Sequence, residues 1–335
     1  MKKTILASAI AAATFSGAAL AQESNLPTVY GNIQYAISHT NVDGGGSEIE
    51  HFDNGSTLGV VHDHEIAPGL TGFFKIEIDR LGADDINSAN DPEGRFRIDE
   101  AYIGVKGDNF GQLWVGTDDS IYEVAVDEIG EFYEIGSNIA NNYETGEGDL
   151  VQYLSPSFGG LTLGAAVQVN GDNDNKDGRG KSFPWQLSAV YAVDNLELAF
   201  AVDSNDGSKN LADDGDPAFR NNENSYGLRA SYNMDNLRLT AQFETRKDIA
   251  DTFGLMGVYT LGKNQFALSY QLQDEDVSGD KNDTIALQAL HNLSDHMYVY
   301  VEGYLSNADA DDFYELEGRT GDERSVAAIG AVYYF

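Results

Sequence analysis

The sequence predicts an all-β fold: a 16-stranded antiparallel transmembrane β-barrel with an inward-folded third loop. Three observations carry it. Sixteen short segments alternate apolar and polar residues with the period of a strand. The connections between them alternate between short and long, as in barrels that cross a membrane. One connection, 118–148, is much longer than a compact domain keeps without a use for it.

The chain opens MKKTILASAIAAATFSGAALAQ. Lys2 and Lys3 precede a short apolar run that ends at Ala19, Leu20 and Ala21, a small-residue cleavage pattern. The expected organisation is a signal peptide over 1–21 and one barrel domain over 22–335. Past the leader no apolar run approaches the ~18 residues of a membrane-spanning helix.

Strands are expected near 29–38, 56–66, 70–79, 96–106, 111–117, 149–154, 161–169, 183–192, 195–203, 224–233, 236–245, 251–260, 264–272, 283–290, 296–306 and 324–335. The short turns fall at 67–69, 107–110, 155–160, Asp194, Asp235, Gly262 and 291–295. The long loops fall at 39–55, 80–95, 118–148, 170–182, 204–223 and 307–323. Within 236–244, Leu237, Leu239, Ala241 and Phe243 share one face, and Arg238, Thr240, Gln242 and Glu244 the other. A soluble barrel would alternate too, with its apolar face inward. Sixteen strands, however, enclose a lumen too wide for side chains to fill, so the apolar face must look out into lipid. Lipid offers no partner for an open edge and so forces closure. Tyr30, Tyr191, Phe200, Tyr232, Tyr259, Tyr298, Tyr333 and Phe335 lie near strand ends and read together as an interfacial aromatic girdle.

The formal net charge is −35. That excludes a nucleic-acid partner, whose phosphates need clustered Lys and Arg. The 18 Tyr and 16 Phe oppose disorder. With no cysteine, stability has to come from the closed hydrogen-bonded ladder and not from disulfides. The charge gathers in the long loops. The segment 118–148 holds nine carboxylates and neither Lys nor Arg, and 307–323 holds seven acids against Arg319. The Ile, Val, Phe and Tyr residues of 118–148 imply that it packs on a wall, with its acids facing water.

Catalytic and metal chemistry find little support. No Gly-x-Ser-x-Gly motif is present. His62 and His64 share a strand face, but no Cys and no evident third ligand accompany them. The run 172–178 is like a calcium loop, yet Lys176 takes a ligand position and no Glu closes it, so a solvated hairpin tip is the simpler account. No cofactor is expected.

Several short motifs add a resemblance. Val29, Tyr30 and Gly31 open the first strand; Phe110 and Gly111, with Val115 and Gly116, precede the long third loop; Ser155, Pro156, Ser157, Phe158, Gly159 and Gly160 form the turn after it. The last strand ends on Phe335, with Tyr333, Ala331 and Ile329 on its face, which is similar to the signal read by the barrel-assembly machinery. Over the mature chain the sequence resembles the trimeric general porins of Gram-negative outer membranes. In that family the third loop carries Pro-Glu-Phe-Gly-Gly with an Asp four residues before the Glu. Gly130, Glu131 and Phe132 match its start here and Asp127 the Asp, while Tyr133 and Glu134 replace the glycine pair. The resemblance thus implies Asp127 and Glu131 at the pore constriction, with Asp118, Asp119, Glu123, Glu128 and Glu134 as its further acids. The facing barrel wall is usually basic; the matching positions here are Asn32, Thr57, Thr117 and Gln152 or Leu154, none of them basic. Lys75, Arg229 and Arg238 have lumen parity and could replace the missing bases in part.

The expected function is a passive outer-membrane pore for small hydrophilic solutes and ions, with cations favoured. The alternatives are a substrate-selective channel on the same barrel, or a surface adhesin acting through the acidic loops. The implied partners are outer-membrane lipid and lipopolysaccharide, the assembly machinery and two further copies in a homotrimer.

Overall fold

The computed structural model describes residues 26–79, 81–84, 97–139, 143, 145–169, 183–205 and 223–335. Residues 1–21, expected as a leader, and the calcium-like run 172–178 lie outside the described residues.

The strands are β1 (Thr28–Val42), β2 (Gly46–Asp53), β3 (Thr57–Ala67), β4 (Leu70–Asp79), β5 (Arg97–Gly107), β6 (Gly111–Thr117), β7 (Leu150–Leu154), β8 (Leu161–Gln168), β9 (Trp185–Val193) and β10 (Leu196–Asp203). They continue as β11 (Ser225–Met234), β12 (Leu237–Arg246), β13 (Ala250–Leu261), β14 (Asn264–Glu275), β15 (Lys281–Asn292), β16 (Met297–Ala308), β17 (Tyr314–Leu316), β18 (Arg319–Gly321) and β19 (Glu323–Tyr334). Each barrel strand pairs antiparallel with the next, and β19 pairs with both β16 and β1, which closes the sheet. β2 and β3 both pair with β1 and are two halves of one barrel strand, interrupted at 54–56, so the barrel has 16 strands.

Closure is sealed at the last residue. Phe335 and Gly31 exchange backbone hydrogen bonds of 3.1 and 3.2 Å. A Cβ at position 31 would stand 2.7 Å from the Phe335 ring and 2.5 Å from the Thr57 carbonyl, so only glycine fits there. At the short turns Asp194 and Asp235 take φ of 50° and 49°, the left-handed region that Asp tolerates.

The apolar face looks outward: Leu228, Leu239, Leu255, Leu268, Leu287, Val301 and Ile329 are exposed. Their strand neighbours Ser231, Thr240, Gln242, Glu244, Gln271 and Glu302 are buried inside. That inversion of the soluble pattern is what lipid demands. Tyr191, Phe200, Tyr232, Tyr259, Tyr333 and Phe335 are exposed on the outside as expected. Tyr30 and Tyr298 are corrections, because strand parity turns both inward. Tyr30 donates to Glu77 (2.5 Å) and Tyr298 to Glu134 (2.7 Å).

Two expected loops also contain strands. The region 39–55 is largely the tips of β1 and β2, joined by a turn at 43–45. The region 307–323 carries the β17–β18 hairpin, whose Tyr314 lies under the Arg324 guanidinium at 4.7 Å. Outside lipid both faces of a strand meet water, so the apolar alternation that marks a membrane strand is lost.

Candidate functional site

The segment between β6 and β7 lies on the polar, inner face of the sheet. Its base is closed by the Asp118 N–H donating to the Glu147 carbonyl (3.1 Å), and the Trp114 indole donates to the Asp118 carboxylate (2.6 Å). Ser120 then caps a short helix, α1 (Ile121–Val126), by accepting from the Glu123 N–H (3.1 Å). Ile121, Tyr122, Ala125 and Val126 face the wall; Glu123 and Val124 face away from it. A single 3₁₀ turn, Gly130–Phe132, follows.

Glycines on the wall make room for this loop. A Cβ at Gly164 would meet Ile121 at 2.8 Å, one at Gly227 would meet Tyr122 at 2.7 Å, and one at Gly254 would meet Ile129 at 2.7 Å. Beyond them Ile129 and Tyr133 join Met256, Val258, Ala267, Ala286, Tyr304 and Val326 in an apolar cluster inside the barrel.

Polar wall residues satisfy the loop backbone, which has no regular partner of its own. Gln242 accepts from the Ile129 N–H (3.3 Å) and Gln271 from that of Ile139 (3.2 Å). Glu302 accepts from those of Glu134 and Ile135 (2.8 and 3.0 Å). Thr145 donates to Asp203, Arg324 to the Ser137 carbonyl, and Asn54, at the break between β2 and β3, to the Glu134 carbonyl. The loop therefore runs along the wall from β9 round to β2. The inner faces of β3, β4 and β5 are left across the passage from it.

The acids of the loop separate into three kinds. Asp127 is buried; its Oδ1 accepts from the Gly130 N–H (2.9 Å). Burial first, then Glu244 and Glu131, holds its carboxyl well above the usual range. This fold explains the glycine at 130: a Cβ there would stand on the Asp127 carboxylate, and a proline would have no N–H to donate. Glu128 and Glu134 are held by partners. Burial raises Glu128, but Arg238, Arg229 and Thr240 outweigh it and bring its pKa down to about 2. Glu134 accepts from Tyr298, and burial carries it to about 7. The third kind faces the passage. Glu131 is exposed, and Asp119, Glu123 and Glu147 place carboxylate oxygens within 4.8 Å of one another. Burial, then Asp119, Glu131, Asp127 and Glu147, pushes Glu123 up to about 9. Burial and Asp119 push Asp118 to about 7.

On the far side Lys75 is ion-paired with Glu100 (2.5 Å) and Glu77 (3.7 Å). A β-bulge in β5 leaves Asp99 without a cross-strand partner, and Glu77, Asp99 and Glu100 again bring oxygens within 4.8 Å. Burial raises Asp119, while Lys75 lowers and Glu77 raises it, so the two acidic groups act on one another. Oxygen-only sets such as these suit hard cations.

Other positions expected on the facing wall are distributed differently. Asn32 donates to Thr57 (2.9 Å), both inside the barrel. Gln152 is buried and donates to the Asp119 carbonyl (3.2 Å) and the Asp118 carboxylate (3.4 Å), so it supports the loop's root. Leu154 packs with Trp114 and Ile121. Thr117 is a correction: it pairs with Ala101 in the row of Val115 and Ile103, the exposed outer face, while Trp114 points inward. Arg229 and Arg238 are a second correction. They stand under the loop, gripping Glu128 at 2.6 Å each, and not across from it. His62 and His64 stack at 6.2 Å beside Phe74, away from both carboxylate groups. Glu77, Asp99, Glu100 and Glu147 were not singled out by sequence. The bulge and the loop fold that assemble them leave no local signature.

A sequence model of the Gram-negative porin family matches residues 7–311. A monosaccharide porin of Halomonas sp. and a major outer membrane protein of Halomonas elongata are each 30% identical over 391 aligned positions, covering all of both chains. Among solved structures, an anion-selective porin from Comamonas acidovorans superposes with a TM-score of 0.73 at 18% identity, over 92% of this chain and 99% of that one. Closed barrel, outward apolar face and sequence match agree: this chain belongs to the Gram-negative porin family, the β-barrel channels of the outer membrane.

Proposed function

We propose that the channel passes small hydrophilic solutes by passive diffusion and favours cations. One observation supports this most. The loop carries Asp119, Glu123, Glu131 and Glu147 and the inner wall Glu77, Asp99 and Glu100, while Lys75, Arg97, Arg229 and Arg238 are all paired with acids. Fixed carboxylates in a narrow passage with low-dielectric walls raise the local cation concentration and repel anions. The anion preference in the name of the Comamonas protein is said of that protein; the likeness at 18% identity is one of fold. The zero-current potential of the reconstituted channel in a KCl gradient tests the sign: a cation-selective potential supports it and an anion-selective one rejects it.

A second reading follows from the Halomonas relative named as a monosaccharide porin: neutral sugars cross the same opening. Swelling of proteoliposomes in isotonic glucose would support it, and an absence of swelling beside normal ion conductance would reject it. The same proposal includes removal of a leader over 1–21, recognition of Tyr333 and Phe335 by the barrel-assembly machinery, contact with lipopolysaccharide, and a homotrimer.

A further inference from the structure

On the short-turn side of the loop, near the turns at Asp194 and Asp235, four charged side chains meet. The Glu128 carboxylate accepts from Arg229 Nη1 and from Arg238 Nε and Nη2, each at 2.6 Å. Ser231 and Thr240 add hydroxyl donors at 2.9 and 2.6 Å. Glu197 lies 2.6 Å from Arg229 and 3.6 Å from Arg238. Arg229 also donates to the Ala125 carbonyl (2.9 Å) at the end of α1. The Glu128 and Arg229 side chains are each 7% exposed, whereas that of Glu197 is 31% exposed, so the cluster opens on its Glu197 side. Two acids and two bases leave it without net charge.

We propose that Glu128 determines the charge specificity of the channel by capping two guanidiniums that would otherwise give the lumen beneath the loop a fixed positive charge. The inference rests on the charge-selective diffusion proposed above. A guanidinium does not shed its proton when its partner is lost, so removing the Glu128 charge leaves an excess positive charge that no protonation change can absorb. With a screening length of about 10 Å at 0.1 M salt, that charge acts across a narrow lumen. The competing account is mechanical: Glu128 only pins the loop, through Arg229 and the end of α1.

The two accounts separate in planar bilayers with the full-length channel in a KCl gradient. Glu128→Gln should lower the cation-to-anion permeability ratio several-fold, and less at high salt. The double variant Glu128→Gln, Arg238→Gln leaves Glu197 against Arg229 with no net charge and should return the ratio toward that of the unmodified channel. Arg238→Gln alone leaves an excess acid and should raise it. An unchanged ratio in Glu128→Gln, or a double variant displaced as far as the single one, would overturn the proposal in favour of the mechanical account. If Glu128→Gln gives no channels, Arg238→Gln must still exceed the double variant in cation preference, and equality overturns the proposal. An anion-preferring unmodified channel would reject the general reading, yet the order of the variants would still decide the role of Glu128.

Discussion

The Glu302 carboxylate takes the backbone N–H of Glu134 at 2.8 Å and, through its other oxygen, that of Ile135 at 3.0 Å. Gln288 and Tyr304 donate to the same carboxylate at 2.8 and 2.7 Å, so one strand residue fixes the far end of the loop. Glu302→Gln places an amide N–H against donors. Leaving a buried donor unsatisfied costs on the order of 1–3 kcal/mol, enough to free the end locally while the ladder holds. Hydrogen exchange at Glu134 and Ile135 should accelerate, and single-channel records should become noisier. Exchange rates equal to those of the unmodified protein would contradict this anchoring.

The wall glycines set how closely the loop packs. With the Ile129 side chain 2.7 Å from where a Cβ would stand, Gly254→Val should push the loop into the passage. Overpacking of this kind costs roughly 1–3 kcal/mol. Lower single-channel conductance and a lower melting temperature in detergent are expected, and unchanged conductance would show that the loop yields in another direction.

Closure at Gly31 and Phe335 makes a separate prediction. Deleting Phe335 removes two backbone hydrogen bonds at the seam and the ring packed over Gly31. Less assembled barrel should reach the outer membrane, as read from the heat-modifiable band on a gel. Gly31→Ala should lower barrel melting without altering export. Normal melting of Gly31→Ala would remove the steric argument.

The loop acids also predict a dependence on pH. Burial and neighbouring acids push Asp118 up to about 7 and Glu123 up to about 9, so both gain charge as pH rises through these values. Cation preference should therefore increase between about pH 6 and pH 9, because ionisation adds negative charge to the passage. Glu123→Gln should flatten the upper part of that rise. A preference that falls with pH, or one equally steep in Glu123→Gln, would contradict the assignment.

Strand positions were legible because lipid imposes strict alternation, and a residue such as Arg238 reveals its inward parity by its neighbours Leu237 and Leu239 alone. The partner of Arg238 was not legible. Glu128 is 110 positions away, and only the folded loop brings the two together. Thr117 shows how sharp parity is: one position along a strand moves a side chain from lumen to lipid. Asp127 was recognisable as a motif residue, but its burial depends on the missing Cβ at Gly130, which motif matching treats as a simple replacement. Asp99 owes its place to a bulge, and the β1–β2 tips lie where alternation no longer reports on lipid.

The proposed selectivity places the charge of the passage on Asp119, Glu131 and Glu147 and not on the buried Asp127. Its most direct test is the zero-current potential in a KCl gradient, measured for the unmodified channel, for Asp127→Asn, and for the combined variant Asp119→Asn, Glu131→Gln, Glu147→Gln. The unmodified channel should show a cation-selective potential, Asp127→Asn should keep it, and the combined variant should move it well toward zero, with the difference shrinking at high salt. A potential unmoved by the combined variant, or abolished by Asp127→Asn alone, would contradict the account.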